Sequence, residues 1–418
     1  MILHILTNIL IVVLNFTRGK IISKNSYAVK IKYLFILFIL AISCKTQKNG
    51  LFEFDPTTLV GNKITLAEIA DDITYIPLDN CFPLGIIYEN IKFINSSIYL
   101  SEREIGILEF NRAGKILRKI GNKGRGPDEY GFNYHFSVDE KTESVYVQDG
   151  NVIKVYSKTG RLLRKIYQPE NEDNIQTIEF YNSNLFVFNS LNIGDSKYNW
   201  IVLDTLGNLI VKKKRTTPMF KSGWGGSTGT YKFENKLFYW NTYNDTVFSI
   251  LPDLSYRASL IFRPGDYRVP RSDFSPFKQQ VKQYMHIEQL FETSRFFAIR
   301  YFHKTPTFVL IDKKNRKSFL SYLESVEGSM DFRRNGGIVN DFDGGKMFLP
   351  ESCFVENNRE YLIGLLNSYQ IKNHAGSSEF RNSTPKHPEK KKELEELANR
   401  LKETDNPVLV LVRLKKPD

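Results

Sequence analysis

The chain has 418 residues, of which 41% are hydrophobic and 13% aromatic, so it can bury a large core. Its formal charge is +12, but the region expected to fold has no run of Lys and Arg interleaved with aromatic residues, which argues against nucleic-acid binding. Abundant Phe (31) and Tyr (22) favour strands. We therefore expect an all-β protein that does not bind nucleic acid.

Residues 29–43 have the layout of a lipoprotein signal peptide. An apolar run over 33–42 follows two lysines and is too short to span a hydrocarbon core, which requires about 20 helical residues. The sequence Leu40-Ala-Ile-Ser-Cys44 resembles a bacterial lipobox, so we expect lipid attachment at Cys44. A plain transmembrane anchor and a cleaved soluble signal are the alternatives.

The flanking segments fit this interpretation. Residues 1–28 hold a second, interrupted apolar stretch, which indicates either a start codon assigned too early or an extra membrane segment. Residues 44–60 begin with a polar stretch, as a flexible tether should. The acidic run that directs some lipoproteins to the cell surface is absent after Cys44, so we expect the periplasmic face of the outer membrane.

An internal repeat dominates the remaining chain. The stretches 107–120 and 153–166 align, and each contains an alternating strand, a turn ending in Gly and a second strand. The turn glycines Gly114, Gly160 and Gly207 are 46 and 47 residues apart. Gly at such a position supplies the positive φ of a tight hairpin. A fainter fourth copy near 308–316 carries Asn315 where the others have Gly.

Each repeat holds about four short strands, the size of a propeller blade. Predicted partner strands lie between the hairpins, at 97–101, 144–148, 184–189, 236–241 and 296–301. We expect a six-bladed β-propeller over residues 61–418, with insertions near 223–228, 264–289 and 372–389. A single blade cannot bury both faces of its sheet, whereas a ring of blades can.

The C-terminal part departs from the repeat. Pro388 is well placed to open a helix, and Leu394, Leu397 and Leu401 lie on one face of it. Residues 408–414 alternate Val and Leu and predict a buried strand that closes the ring. We therefore expect a C-terminal helix followed by a ring-closing last strand.

Five segments of the chain resemble those of a known family. The segments 66–78, 120–130, 243–248, 340–345 and 405–411 are similar, in this order, to the six-bladed, NHL-like β-propeller lipoproteins of Bacteroidetes. The resemblance implies the fold and an envelope location. It implies little about activity, because one fold hosts many functions.

The loop 121–131 is the first candidate binding site. Its glycines leave backbone N–H groups accessible, and Arg125, Asp128, Glu129 and Tyr130 lie beside them, a combination that could bind an anion or a sugar hydroxyl. The alternative is that the glycines set a crossing between blades and that Arg125 pairs with Asp128 or Glu129. The loop lacks the Lys-Ser/Thr of a P-loop.

Other candidates are weaker. Asp341 and Asp343 could offer oxygen ligands to Ca²⁺, but no EF-hand pattern accompanies them, and capping of turns explains them equally. Asp245 is a turn residue that could also contact a ligand, and Trp224 lies in a Gly-rich insertion. Outside the signal region two cysteines remain, Cys81 and Cys353, either as a disulfide or as free thiols.

Two functions remain open. The first is a monomeric, non-catalytic binding or scaffold module for a protein, peptide or glycan, with Trp224, Tyr130 and Tyr243 on its binding face. The second is a metal-dependent hydrolase or lyase with its site at the central channel. The histidines show no metal-binding spacing and no G-x-S-x-G motif is present. We therefore assign no cofactor, keep Ca²⁺ as the one candidate ion and favour the binding module.

Overall fold

The computed structural model describes residues 51–88, 91–168, 174–192, 196–273, 275, 278–325 and 334–416. The predicted signal peptide and the acylation site at Cys44 lie outside these residues. The expected tether over 44–60 is folded in its last part. Residues 52–54 form strand β1, and a 3₁₀ turn follows at Pro56–Thr58, so the folded unit begins before residue 61.

The N-terminal segment provides three strands that join blades formed much later in the chain. They are β1 (Phe52–Phe54), β2 (Gly61–Asn62) and, after helix α1 (Leu66–Ile69), β3 (Ala70–Pro77).

The first three blades are four-stranded meanders. Blade 1 contains β4 (Lys92–Ile94), β5 (Ser97–Glu102), β6 (Gly106–Asn111) and β7 (Ile116–Ile120). Blade 2 contains β8 (Phe136–Val138), β9 (Val145–Asp149), β10 (Val152–Tyr156) and β11 (Leu162–Tyr167). Blade 3 contains β12 (Ile175–Tyr181), β13 (Asn184–Asn189), β14 (Tyr198–Leu203) and β15 (Leu209–Lys214).

Blades 4 and 5 each gain a fifth strand from the N-terminal segment. Blade 4 contains β16 (Thr228–Phe233), β17 (Lys236–Asn241), β18 (Asn244–Ile250) and β19 (Tyr256–Phe262), with β1 beside β19. After a 3₁₀ turn (Gly265–Tyr267) and α2 (Lys278–Val281), blade 5 contains β20 (His286–Glu292), β21 (Phe296–His303), β22 (Thr305–Asp312) and β23 (Ser318–Tyr322), with β2 beside β23. A small ribbon of β24 (Glu324–Ser325) and β25 (Arg334–Asn335) follows.

Blade 6 closes the ring with strands from both ends of the chain. It contains β26 (Ser352–Glu356), β27 (Arg359–Leu366) and β28 (Val408–Leu414), and its outermost strand is β3, paired antiparallel with β28. Between β27 and β28 lie α3 (Ser368–Ala375), α4 (Ser378–Asn382) and α5 (Pro388–Arg400). The predicted six-bladed propeller, terminal helix and ring-closing strand are therefore confirmed.

The core lies between neighbouring blades. At the closure, Ile98 and Leu108 of blade 1 are fully buried against Ile363 and Leu409 of blade 6. This distribution follows from the repeat, because alternating apolar residues on both faces of a blade are buried only when a neighbour covers each face.

The repeat glycines serve these junctions as well as the turns. Gly114, Gly160 and Gly207 have φ of 78°, 82° and 97°, which favours Gly. A Cβ on Gly114 would stand 2.1 Å from the carbonyl oxygen of Pro77 at the end of β3. The fourth copy differs: its turn is one residue longer and the positive φ falls on Arg316, not on Asn315.

Candidate functional site

The innermost strands of the six blades surround a central channel. Residues of β4, β12, β16, β20 and β26 contribute to its wall, as do His135 and Asp139 on either side of β8, and its volume is about 1800 Å³. All six blades contribute side chains to this channel. Propellers offer such a channel because each blade presents one short inner strand to the axis.

A charged cluster around Glu179 lies on the channel wall. Lys92 donates to Glu179 Oε2 over 2.7 Å, and Ser137 Oγ donates to Glu179 Oε1 over 2.8 Å. Thr230 Oγ1 donates to Oε2 over 3.2 Å, and Lys232 Nζ lies 3.6 Å from Oε1. Four blades thus contribute to one carboxylate, whose side chain is only 7% exposed. The cluster is a rigid, polar feature of the wall.

The cluster holds its charges despite burial. Burial opposes ionisation of Glu179, but the ammonium groups of Lys92 and Lys232 outweigh it and keep the pKa of the carboxyl below its usual value. Burial lowers the pKa of Lys92 in spite of Glu179. For the neighbouring His135, burial and the charge of Lys92 lower the pKa to about 4. This histidine is therefore a neutral hydrogen-bonding group at physiological pH.

Aromatic rings line one rim of the channel, where the inner strands begin. Tyr88 precedes β4, and Phe132 and Tyr134 precede β8. The Tyr88 and Tyr134 rings are 4.8 Å apart, and the Phe132 and Tyr134 rings are stacked at 6.3 Å. Phe132 and Tyr134 are about half exposed, at 55% and 51%. Exposed aromatic faces grouped in this way mark binding surfaces.

A second buried cluster lies across the channel on blades 4 to 6. Tyr231 Oη donates to Glu292 Oε1 over 3.2 Å, Lys313 pairs with Glu292, and Cys353 Sγ lies 3.4 Å from the Glu292 carbonyl oxygen. The Lys313 ammonium also lies 4.1 Å from the Phe233 ring centroid. Burial raises the pKa of Glu292 and raises that of Cys353 to about 12, so this thiol is protonated and a poor nucleophile.

Several buried polar atoms of channel-lining residues have no hydrogen-bond partner among the described residues. Two of them are Gln148 Oε1 and Trp240 Nε1, and Trp240 is 4% exposed. Buried polar atoms are usually paired, because leaving one unpaired costs about 1–3 kcal/mol. An acceptor and a donor on one wall suit a ligand that carries both.

The predicted binding loop 121–131 is held by its own contacts. Glu129 Oε2 accepts from Gly126 N over 2.8 Å. Tyr130 is fully buried, and its hydroxyl accepts from Ile107 N and donates to Ile120 O, each over 2.9 Å. A Cβ on Gly124 would stand 2.0 Å from the Glu129 carboxylate. These contacts favour the inter-blade role of the loop.

The charged residues of that loop remain candidates for binding a ligand, although within the described part of the chain they do not pair with one another as expected. Arg125 and Asp128 are exposed, and among the described residues no ion pair joins Arg125 to Asp128 or Glu129. Tyr130 lies apart from these charged side chains, because it packs into the core between blades 1 and 2. Their contact with a ligand stays a prediction.

Trp224 and Asp245 make local contacts within the fold. Trp224 contacts His286, with ring centroids 4.8 Å apart, and Asp245 lies 2.7 Å from both Arg268 and Arg271. Tyr243, expected on a binding face, is fully buried. Its hydroxyl donates to the Trp224 carbonyl and lies 3.0 Å from Ser222 Oγ, so it supports the loop rather than a surface.

The candidate calcium residues hold a turn against the N-terminal segment. Asp341 Oδ1 accepts from Ala67 N over 2.9 Å, and Asp343 Oδ2 accepts from Tyr75 Oη over 2.8 Å. Asp343 is fully buried and burial raises its pKa. Within the described residues no group of three or more His, Cys, Asp or Glu is placed to hold a metal ion. Cys81 and Cys353 are free thiols.

The channel residues are those that the sequence did not single out. Glu179, Lys92 and Lys232 are charged residues on the first strands of blades 3, 1 and 4. A charge at an inward position of the first strand of a blade was the available signal. It could be used only once the innermost strand of each repeat was known.

Comparison with known proteins agrees with this architecture. The model of the family described as a domain of unknown function (DUF4934) matches residues 51–413. A Bacteroides fragilis NCTC 9343 protein named for its inferred export has a similar solved structure, with a TM-score of 0.63 and 20% identity over 87% of this chain and 99% of that one. At this identity the likeness shows the fold alone.

More distant propellers add no argument. A Bacteroides thetaiotaomicron protein of unknown function matches with a TM-score of 0.41 and 10% identity over 85% of this chain and 75% of its own. Virginiamycin B lyase of Staphylococcus aureus matches with 0.40 and 9% identity over 70% and 95%. No curated protein matches the chain. Among the described residues, no helix is long and apolar enough to cross a membrane.

Proposed function

This chain belongs to the family described as a domain of unknown function (DUF4934), and we propose that it is an exported, lipid-anchored binding module that takes an oligosaccharide into its central channel. The observation that carries the proposal is the aromatic rim above a charge-balanced channel. The volume, about 1800 Å³, exceeds the roughly 300–1,000 Å³ of ordinary small-molecule sites, so a ligand of several rings has room.

Charge balance favours a ligand that carries no net charge. The described lining contains nine basic and nine acidic side chains, namely Lys92, Arg112, Lys141, Lys232, Lys236, Arg300, Arg359, Lys415 and Lys416 against Asp139, Glu140, Glu179, Glu234, Glu288, Glu292, Glu351, Glu356 and Glu360. Such a wall offers donors and acceptors in equal measure, which suits hydroxyl groups since each can donate and accept. The rim rings suit the apolar face of a sugar ring.

Binding of glycans to the purified protein tests the proposal. We expect at least one neutral oligosaccharide to bind, and Tyr134→Ala to weaken its affinity tenfold or more in calorimetry. Tyr322→Ala is the matched control, because Tyr322 is 71% exposed and outside the channel lining. Thermal unfolding of each variant checks folding. Absence of glycan binding, or equal affinity in both variants, would overturn the proposal.

The envelope location is part of the same proposal. It is supported by the lipobox-like sequence before Cys44 and by the similar fold of a protein named for its inferred export. Metabolic labelling with palmitate should mark the wild-type protein and not Cys44→Ser. Protease treatment of intact cells separates the expected periplasmic face from the cell surface. Labelling of Cys44→Ser at the wild-type level would refute acylation at this residue.

No specific observation favours the metal-dependent hydrolase or lyase that the sequence left open. Only His135 among the histidines lines the described channel, and its low pKa arises from burial and Lys92. Elemental analysis of the purified protein addresses the alternative directly. A metal bound in stoichiometric amount would replace the binding module as the favoured function.

A further inference from the structure

The outermost strands of the blades differ in whether anything covers them. In blades 4 and 5, β1 and β2 add a fifth strand beyond β19 and β23. In blades 1, 2 and 3 the outermost strands β7, β11 and β15 pair on one side only, as far as the described residues extend. An unpaired edge presents backbone N–H and C=O groups that can pair with another chain.

The two classes of outer strand carry opposite charges. The uncovered strands hold seven basic residues and no acidic one: Arg118, Lys119, Arg164, Lys165, Lys212, Lys213 and Lys214. The N-terminal strands hold three acidic residues and no basic one: Glu53, Asp71 and Asp72. The chain therefore completes the outer edges of blades 4 and 6 with acidic segments, whereas β2 on blade 5 is uncharged.

Ion pairs show how this completion works. Glu53 of β1 pairs with Arg263, next to β19, over 2.7 Å. The backbone N–H of Arg263 donates to Phe54 O over 2.8 Å, which extends the ladder. On blade 6, Arg413 of β28 lies 2.6 Å from Asp71 of β3. An extended acidic segment beside a basic strand is thus a contact that this fold already makes.

Among the uncovered strands, β15 is the most exposed. Leu209, Ile210 and Val211 are 39%, 47% and 39% exposed, and Leu206 before them is 72% exposed. Lysines on an edge commonly prevent aggregation, and this role alone would account for Lys212, Lys213 and Lys214. That role does not explain three consecutive exposed aliphatic side chains, since apolar patches on a surface usually mark a contact.

We propose that β15 is a docking edge for an extended acidic segment of a partner protein, which adds to blade 3 as its fifth strand. Blade 3 would then have the five-stranded form of blades 4 and 5. Backbone pairing supplies affinity in this mode, and side chains of the added strand supply selectivity. Acidic residues would meet the lysines of β15, and apolar ones would cover Leu209 and Val211. Docking of this segment on β15 does not depend on which ligand the channel binds.

The test uses an acetylated octapeptide that alternates Glu with Val or Ile, and its twin with Gln in place of Glu. With purified full-length protein, we expect the Glu peptide to bind with a Kd on the order of 100 μM and to slow amide hydrogen exchange selectively over residues 209–214. The Gln peptide should bind at least tenfold more weakly, because the lysines then meet no opposite charge.

Charge-reversal variants distinguish binding at the β15 edge from nonspecific attraction of the peptide to a basic protein. Lys212→Glu with Lys214→Glu should weaken binding of the Glu peptide at least tenfold. The control, Lys392→Glu with Lys402→Glu, makes the same charge change at exposed positions on and after α5 and should leave binding unchanged. Val211→Ser should weaken binding severalfold without a change of charge.

Three results would overturn the proposal. The first is no change of exchange over 209–214 at millimolar Glu peptide, with the protein folded. The second is equal binding of the Glu and Gln peptides. The third is protection of β15 by phosphatidylglycerol vesicles but not by the Glu peptide, which would assign this basic and apolar edge to an anionic membrane.

Discussion

The outer strands of blades 1 to 3 and those of blades 4 to 6 make different contacts. In blades 4 to 6 the N-terminal segment pairs with or forms the outer edge. In blades 1 and 2 the outer strand instead reaches sideways: Arg118 of β7 donates to Lys158 O over 3.0 Å, and Arg164 of β11 donates to Thr205 O. These are equivalent arginines of the repeat, each contacting the outer turn of the following blade.

A repeat in sequence therefore need not give equivalent surfaces in the folded protein. Blades 1 to 3 have open, basic edges, and blades 4 to 6 are stabilised by residues that are distant in sequence. Stability should therefore depend more on outer-strand residues in blades 4 to 6 than in blades 1 to 3. Substitutions at matched positions can test this expectation.

The largest contrast is expected between two outermost strands, β3 of blade 6 and β7 of blade 1. Ile73 is 2% exposed and belongs to the core, whereas Leu117 is 46% exposed. Ile73→Ala should lower the free energy of unfolding by about 2–4 kcal/mol. Leu117→Ala should change it by less than about 0.5 kcal/mol. Urea denaturation measures both, and similar losses would show that the two edges are equivalent.

The junction between blades 6 and 1 offers the next contrast. Gly114→Ala should cost about 2–3 kcal/mol, because φ is positive and the new Cβ would meet the Pro77 carbonyl. Gly150→Ala is the control: its φ is 64° but nothing lies within 4 Å of the new Cβ, so about 1 kcal/mol is expected. Thermal unfolding compares the two. If Gly114→Ala cost no more than Gly150→Ala, the backbone at the junction would have shifted to make room for the new methyl group.

Protonation of His135 should destabilise the channel wall of blade 2. Its pKa is about 4 in the folded protein and about 6.5 in an unfolded chain. Because the folded pKa is the lower one, its contribution to stability is present above pH 6.5 and is lost as the pH falls toward 4. At pH 5 we expect a loss of about 2 kcal/mol.

His135→Gln tests that assignment, because it should flatten the pH dependence between pH 6.5 and 4. Urea denaturation at several pH values measures the effect. His387→Gln is the control, since His387 lies at the start of α5 and outside the channel lining. An unchanged pH profile in His135→Gln would show that another group is responsible.

The smallest effect is expected at the charged contacts of the outer edge. Asp71 of β3 pairs with Arg359 and Arg413, and all three side chains are partly exposed. Asp71→Asn should cost about 0.5–1 kcal/mol, and the cost should shrink at high salt. Lys165→Gln on the uncovered β11 should be close to neutral. If both substitutions have the same cost, the ion pairs of β3 add nothing specific.

Much of the fold could be predicted because its signals are local. The strands 184–189 and 236–241 were expected at the observed bounds, and the helix after Pro388 ends before Asn406 as expected. Hairpin glycines with positive φ are dictated by short-range sterics. The fourth repeat turn was harder, because one added residue moves the positive φ from Asn315 to Arg316.

The candidate site could not be predicted in the same way. Lys92 and Glu179 are 87 residues apart, and nothing local indicates that their strands face one axis. Tyr130 and Tyr243 looked like binding residues because they lie in glycine- or turn-rich segments, but both are fully buried. A tyrosine hydroxyl can satisfy backbone groups inside a core as readily as it can bind a ligand.

The sequence by itself determined the period of the repeat, the turns that need Gly and the last strand, because each depends on neighbours along the chain. Only the tertiary structure decided which charges meet in the channel and which outer edges the N-terminal strands complete. Those contacts join residues far apart in the chain, 87 positions for Lys92 and Glu179 and 342 for Asp71 and Arg413, and their partners are set by closure of the ring rather than by local pattern.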